Sequence, residues 1–425
     1  IPNIVNSMRI NNLETFKGLI NKFDFDDGNQ LKVSSMYNFF EEATGFTSSL
    51  LNKKIDTNFE EKLEIYNLVF SYQEFQTIYI LTDLIQQKDD IQIIHKLHLT
   101  NLNKGSEDQL MVVKKVIVND INLDSISKNK PVIEKDIFSA FKGLVRKNDC
   151  DQMSHMNVQY YFGKHNDAIK ILFNKISSKT SDNLIYQIVN ERCIFSKEVS
   201  LGCALEFIFT IKNIDYDKII LLTKVYCIDN QNVSAYFETN ISFKIDEKIK
   251  KIINEIFSIK SSTYLNEPQF KDLRPLSDKR PSNKPSKKAF ISCKKAVNTW
   301  DLDYELVGSS QFKIGCVSDA ATHLFTYCGA DYNWRTEYSI GSAALDYSVR
   351  YFKKAPLGMA VTMHTNFTKI GNKSLKFIHH MVDDASGDIL MDIEIVAVLF
   401  DLKKRKSIEV PKDFRSKASI LLVNN

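Results

Sequence analysis

Residues 149–161 hold the combination of side chains best suited to chemistry. Asp149-Cys150-Asp151 is followed by His155-Met156-Asn157, and an apolar run at helical spacing begins directly afterwards. Two acids, an imidazole and an amide therefore converge on one predicted helix start. A helix N-terminus leaves backbone N–H groups unpaired and carries partial positive charge, which polarises an acyl carbonyl placed there without any metal. Hydrolysis also needs a base or nucleophile beside the carbonyl and donors for the oxygen as it becomes negative. Acids in the turn before the helix can aim a water or attack directly. Each residue has a plainer use too: Asn157 as an N-cap, Asp149 as a turn former, His155 as a polar group satisfied within the turn.

The elements that must position this turn repeat along the chain. Val158, Tyr161, Phe162, Ile169, Leu172, Phe173 and Ile176 mark a buried helix. Strand patterns follow near 184–196, 203–213, 218–228 and 232–245. Phe16-Lys17-Gly18-Leu19 recurs as Phe141-Lys142-Gly143-Leu144, an offset of 125 that holds register through Asp24 and Asp149, Asp26 and Asp151, Val33 and Val158, and Ala43 and Ala168. At an offset of 152, Asp301-Leu302-Asp303, Gln311, Gly315 and Asp319-Ala320 match Asp149-Cys150-Asp151, Gln159, Gly163 and Asp167-Ala168. Strands near 343–352, 359–370, 373–383 and 388–401 complete the third copy, and weaker ones near 65–73, 76–86, 91–101 and 110–119 the first. The expected fold class is α+β, with three tandem domains at 12–120, 137–258 and 289–412, each an antiparallel sheet wrapped round a central helix and burying its own core. Linkers are expected at 120–136 and 259–288, and a lysine-rich amphipathic helix over 246–258 caps the middle domain.

The segment from Asp149 to Tyr161 resembles the first motif of the hot-dog thioesterases, an Asp-x-Asp turn leading through a His-(Val/Met)-Asn step into the central helix. Phe195 to Gly202, Val349 to Gly358, Gly371 to Leu375, Asp401-Leu402 and Arg405 are similar to landmarks of that family's later strands, so the resemblance covers most of 137–412. It implies three hot-dog domains and hydrolysis of an acyl-CoA thioester without metal or cofactor. Asp151 is the implied nucleophile or general base, with His155 and Asn157 positioning the carbonyl or the water, and Asp149, Tyr161 and Asp167 beside the substrate; Asp151→Asn is expected to abolish turnover. The first copy has Gln30-Leu31-Lys32 and the third Val307-Gly308-Ser309 in place of His155-Met156-Asn157, so both are expected to be degenerate although Asp26 and Asp303 remain. Glu41, Glu42, Asp167 and Asp319 sit on the central helices, where hot-dog enzymes also place an acid, or form solvated helix faces. An odd number of such domains predicts association of two chains.

Composition narrows the rest. The chain has 425 residues, 44% hydrophobic and 25% charged, with no apolar run near the roughly 20 residues that span a bilayer. A net charge of +4, with nine Arg among 56 basic residues, argues against nucleic acid as a partner. Seven cysteines without a Cys-x-x-Cys pair predict a reducing, intracellular setting and no structural zinc. A start at Ile1 is compatible with a processed import peptide, making the mitochondrial matrix an alternative to the cytoplasm. Lys353, Lys354, Lys403, Lys404, Arg405 and Lys406 offer charge for the phosphates of coenzyme A or serve as ordinary surface charge; His379-His380 reads as cross-strand packing. The rival to an enzyme is a thioesterase-derived structural subunit of a larger, mitochondrial complex.

Overall fold

The computed structural model describes residues 8–20, 24–25, 31–53, 55, 61–66, 76–87, 90–100, 108–118, 123, 132–134, 136–180, 184–258, 261–263 and 284–423. Asp26, Gln30 and most of the expected linkers lie outside them. A first block comprises β1 (Arg9–Leu19), α1 (Val33–Leu51), β2 (Glu61–Ile65), β3 (Thr77–Gln87), β4 (Asp90–Leu99) and β5 (Gln109–Val118). After the short β6 (Val132–Glu134), a middle block follows with β7 (Ile137–Leu144), α2 (Val158–Thr180), β8 (Gln187–Phe195), β9 (Ala204–Ile214), β10 (Lys218–Cys227) and β11 (Asn232–Ser242). Then come α3 (Glu247–Ser258) and β12 (Ser261–Thr263). A third block holds β13 (Phe290–Ala296), α4 (Ser310–Tyr327), α5 (Tyr332–Tyr338), β14 (Ile340–Tyr351), β15 (Ala360–Ile370), β16 (Ser374–Asp383) and β17 (Ile389–Asp401), closed by β18 (Lys406–Ser407) and α6 (Lys412–Ile420).

Among the described residues, sixteen strands join in one antiparallel sheet, in the order β13-β15-β16-β17-β14-β8-β11-β10-β9-β7-β1-β3-β4-β5-β2, with β18 on β17. Within every block the strands run first, third, fourth, fifth, second. The first strand of each block also carries a β-bulge at one shared point: between Glu14 and Phe16, between Ser139 and Phe141, and between Ile291 and Cys293. The residues bulged out, Thr15, Ala140 and Ser292, are related by the sequence offsets of 125 and 152.

Both short repeats in the sequence lie at joints between blocks. Lys17 of β1 stands opposite Lys142 of β7, so the two copies of Phe-Lys-Gly-Leu run antiparallel past one another. Lys17 donates to the Ser139 carbonyl at 2.9 Å and Lys142 to the Glu14 carbonyl at 3.2 Å, which makes the joint reciprocal. Gly143 is required there, because a Cβ would lie 2.5 Å from Glu42 Oε2. Glu42 is accordingly no solvated face: it is buried, accepts the Leu144 amide at 3.1 Å and pairs with Arg146.

The middle and third blocks meet through β8 and β14, with Ser348 opposite Arg192. Arg192 grips Asp346 with a two-pronged bond, Nε to Oδ1 at 3.0 Å and Nη2 to Oδ2 at 2.5 Å. Above the sheet α2 packs on α4, and Gly163 meets Gln311 while Gly315 meets Gln159. The repeated Gln and Gly thus let the two helices approach closely.

These two blocks do not bury separate cores. One continuous apolar cluster runs from Ala140 to Leu421, because the sheet and the helix layer are both unbroken across the joint. Phe162, Phe173, Phe207, Phe209 and Phe237 are fully buried in it, each contributing about 1.5–3 kcal/mol of transfer free energy. The lysine-rich α3 buries Ile249, Ile252, Ile253, Ile256 and Phe257, and the Phe257 ring sits 6.1 Å from Phe138. The expected linkers are not merely extended, since β6 and β12 pair with each other. Two helices have no counterpart in the sequence reading. α5 is held by the Asp331 cap on the Trp334 amide and buries no residue, while α6 buries only Phe414 and Ala418, so neither carries an apolar stripe.

Candidate active site

A cleft of about 420 Å³ opens between the middle and third blocks where α2 passes α4. Its walls are the turn before α4, from Thr299 to Leu306, the first turn of α4 at Ser309, Ser310 and Gln311, and the face of α2 carrying Gly163, Lys164 and Asp167. Asp149 and Tyr160 close one side and the exposed Trp300 stands at the rim. Ser309 caps α4 by accepting the Phe312 amide at 3.1 Å, so the positive end of that helix opens on the cleft.

Two carboxyls meet here from different blocks. Burial pushes Asp167 up to about 7; Lys164 opposes the rise and Asp303 adds to it. Burial also raises Asp303, against the Glu305 and Val307 amides and the charge of Lys313. Asp303 Oδ1 accepts those two amides at 2.8 and 3.4 Å, which aims the carboxylate from the turn. Like charges in a half-buried space separate two protonation tasks, one group holding a proton where the other has lost it.

Behind the cleft a chain of polar groups runs into the core. Ser310 bonds Tyr351, whose hydroxyl donates to Glu191. Glu191 lies 3.3 Å from His165 Nδ1, and His165 Nε2 lies 3.0 Å from the Thr223 hydroxyl. The imidazole stacks on Phe237 with centroids 4.0 Å apart.

The residues singled out in the sequence divide between two places. Asp149 and Asp167 belong to the cleft, Asp149 being buried and paired with Lys164 at 3.0 Å. Asp151, His155 and Asn157 are not part of its lining. Asp151 is exposed and its Oδ1 accepts the Met153 and His155 amides at 2.9 and 3.0 Å, the same arrangement as at Asp303. His155 Nε2 lies 3.9 Å from Glu198, which also pairs with Arg405. Asn157 accepts the Gln159 amide at 3.2 Å, an N-cap role. Ser309 does that work in the third block, so replacement of the Asn type there leaves the cap intact. Tyr161 is buried against Phe195 at 5.4 Å, edge to face.

Further assignments are equally local. Asp319 is exposed and bonded to Lys295 at 2.6 Å. Lys353 and Lys354 pair with Asp388 and Glu305 at 2.6 and 3.0 Å. His379 is buried, its Nδ1 2.5 Å from Thr365 Oγ1, and burial with His380 beside it pushes its pKa down to about 3. Asp303, Tyr304, Ser310, Lys313 and Glu191 went unrecognised as site residues. One signal was present: a lysine at 313 inside an otherwise apolar helical run.

Residues 297–418 match a family model described as the thioesterase-like superfamily. The match takes in Asp301, Asp303 and α4, and leaves out 149–161. No curated protein matches the chain. Among solved structures, an acyl-ACP thioesterase from Bacteroides thetaiotaomicron VPI-5482 shares 8% identity at a TM-score of 0.43, over 62% of this chain and 98% of that one. The 12:0-ACP thioesterase from Umbellularia californica shares 10% at 0.42, over 62% and 94%. A 1,4-dihydroxy-2-naphthoyl-CoA thioesterase from Synechocystis shares 13% at 0.28, over 30% and 95%. Among the described residues no helix is long and apolar enough to cross a membrane.

Proposed function

We propose that the chain is an acyl-CoA thioesterase built of three hot-dog units, with its chemistry in the cleft between the middle and third blocks. The observation that carries this reading is the pair Asp303 and Asp167 at the capped start of α4. Asp303 takes a proton from water, and the hydroxide adds to the thioester carbonyl. Negative charge that develops on the oxygen is met by the first-turn amides of α4. The carbon–sulfur bond then breaks and Asp167 protonates the departing thiolate. No metal or cofactor is needed for these steps. The family match over 297–418 supports the assignment because it falls on this turn and helix. Incubating the full chain with a panel of acyl-CoAs and reading free thiol tests it. Release that disappears in Asp303→Asn is expected; release unaffected by that change overturns the site.

Two other readings have observations in their favour. The turn at Asp151 has the same amide-held carboxylate, so the middle block is the rival seat of catalysis. A structural subunit of a larger complex, or a dimer of two chains, is favoured by Ile65 and Tyr66, exposed at the β2 end of the sheet, and by Val33 and Tyr37, exposed on α1. Intact folding with no thiol release from any acyl-CoA points to the subunit.

A further inference from the structure

Beside the cleft, sharing Asp303, Tyr304 and Ser310 with it, lies a small half-open cavity of about 70 Å³ whose lining also includes Lys313 and Tyr351, with Glu305, Lys353 and Lys354 at its edge. Lys313 is 9% exposed and projects from the first turn of α4. Among the described residues its ammonium has no salt bridge and no hydrogen bond; its contact is the face of the Tyr351 ring, 5.3 Å from Nζ to the centroid. The carboxylates near it are occupied elsewhere. Glu191 is taken by Tyr351 and His165, Glu305 by Lys354, and Asp303 by two amides. Burial lowers the pKa of the ammonium, and Asp303, Glu191 and Glu305 offset this only in part.

A buried ammonium without a directly bonded anion is costly unless a ligand supplies one. At the matching position of the middle block stands Tyr161, which fills its space with an aromatic ring. Lysine is therefore not a requirement of the fold at this point. Lys313 and the amides that would hold the carbonyl share the first turn of α4, so only a short chain joins a carbonyl at one to an anion at the other.

Resting on the thioesterase reading above, we infer that the acyl group is short and ends in a carboxylate, an ω-carboxyacyl thioester whose anion pairs with Lys313. Lys313 is then the residue that determines specificity. Steady-state kinetics with glutaryl-CoA and hexanoyl-CoA, which are of similar length, test this on the full chain. The expected result is a kcat/KM at least about 100-fold higher for glutaryl-CoA, a preference that collapses in Lys313→Met mainly through KM. Equal kcat/KM for the two substrates overturns the inference, and that comparison needs no variant.

A second arm is independent of catalysis: calorimetric titration of wild type and Lys313→Met with free glutarate, with thermal melts showing that the variant is folded. Glutarate binding that Lys313→Met removes supports the anion site even where no thioester is hydrolysed, in which case the catalytic reading alone falls. Absence of glutarate binding to wild type, or binding unchanged in the folded variant, overturns it.

Discussion

The turns at Asp151 and Asp303 share one backbone design and differ in what surrounds them. Both place an acid whose Oδ1 accepts the amides two and four residues on, and both lead into a capped helix. Around the middle turn the space is filled: Tyr161, Phe195 and Tyr347 interlock edge to face, Phe195 and Tyr347 lying 5.6 Å apart. Offset by 152 along the helices and by 156 along β8 and β14, where Gly202 and Gly358 share a positive φ, the matching positions around the third turn are Lys313, Tyr351 and Glu191. There one ring remains and a lysine and a glutamate replace the other two, and a cleft opens. Loop geometry alone does not make a site. The teaching lies in the second layer, where three substitutions separate a packed interior from a polar pocket.

The largest expected effect breaks or upholds that contrast directly. Asp303→Asn should lower kcat by about 10²- to 10⁴-fold, while Asp151→Asn stays within about twofold, as read by thiol release. The reverse pattern would return catalysis to the middle turn. Next in size, Tyr161→Ala should destabilise the fold by about 3–5 kcal/mol in urea unfolding, because it empties a packed position, with little change in turnover of the folded fraction.

The pH profile separates the two acids of the cleft. With Asp167 held near 7 and acting as the proton donor, kcat should fall about tenfold per pH unit above that point. Asp167→Asn should remove the inflection along with most of the rate. The same shift acts on stability with a definite sign. A folded-state pKa above the ordinary carboxyl value means that the native chain binds the proton more tightly than the unfolded one. That stabilisation is complete below the ordinary carboxyl range and is lost as pH rises through about 7. Asp167→Asn should therefore flatten the decline of melting temperature between pH 5 and 8. The smallest effects are in the caps. Asn157→Ala and Ser309→Ala should each cost about 0.5–2 kcal/mol, and only Ser309→Ala should also slow hydrolysis.

Much of the architecture was legible because it depends on local pattern. Runs of Ile, Val and Phe marked β9, β10, β15 and β16 to within a residue or two, since strand periodicity is written in adjacent positions. Gln159 with Gly163 and Gln311 with Gly315 could be seen to repeat, although their purpose, a close helix crossing, needed the packed helices. The site was less legible for the same reason. Asp167 gains its character chiefly from burial between α2 and the turn before α4, with Asp303 adding to it, and nothing beside it in sequence announces that packing. Glu191 carries no motif in the sequence, and only the pairing of β8 with β14 brings Tyr351 to it. Glu42 looked solvated because the Leu144 amide that it accepts belongs to another block.

The bulges at Thr15, Ala140 and Ser292 bear on how such a chain is made. An extra residue in a strand exchanges its inner and outer faces from that point on. Three blocks that keep the bulge at one position share a common frame of inside and outside. Exchange of segments between blocks at the bulge would therefore join strand halves whose buried residues still face the helix layer. Any recombinant made there inherits a usable core from its first generation, leaving selection free to act on second-layer positions such as 161 and 313.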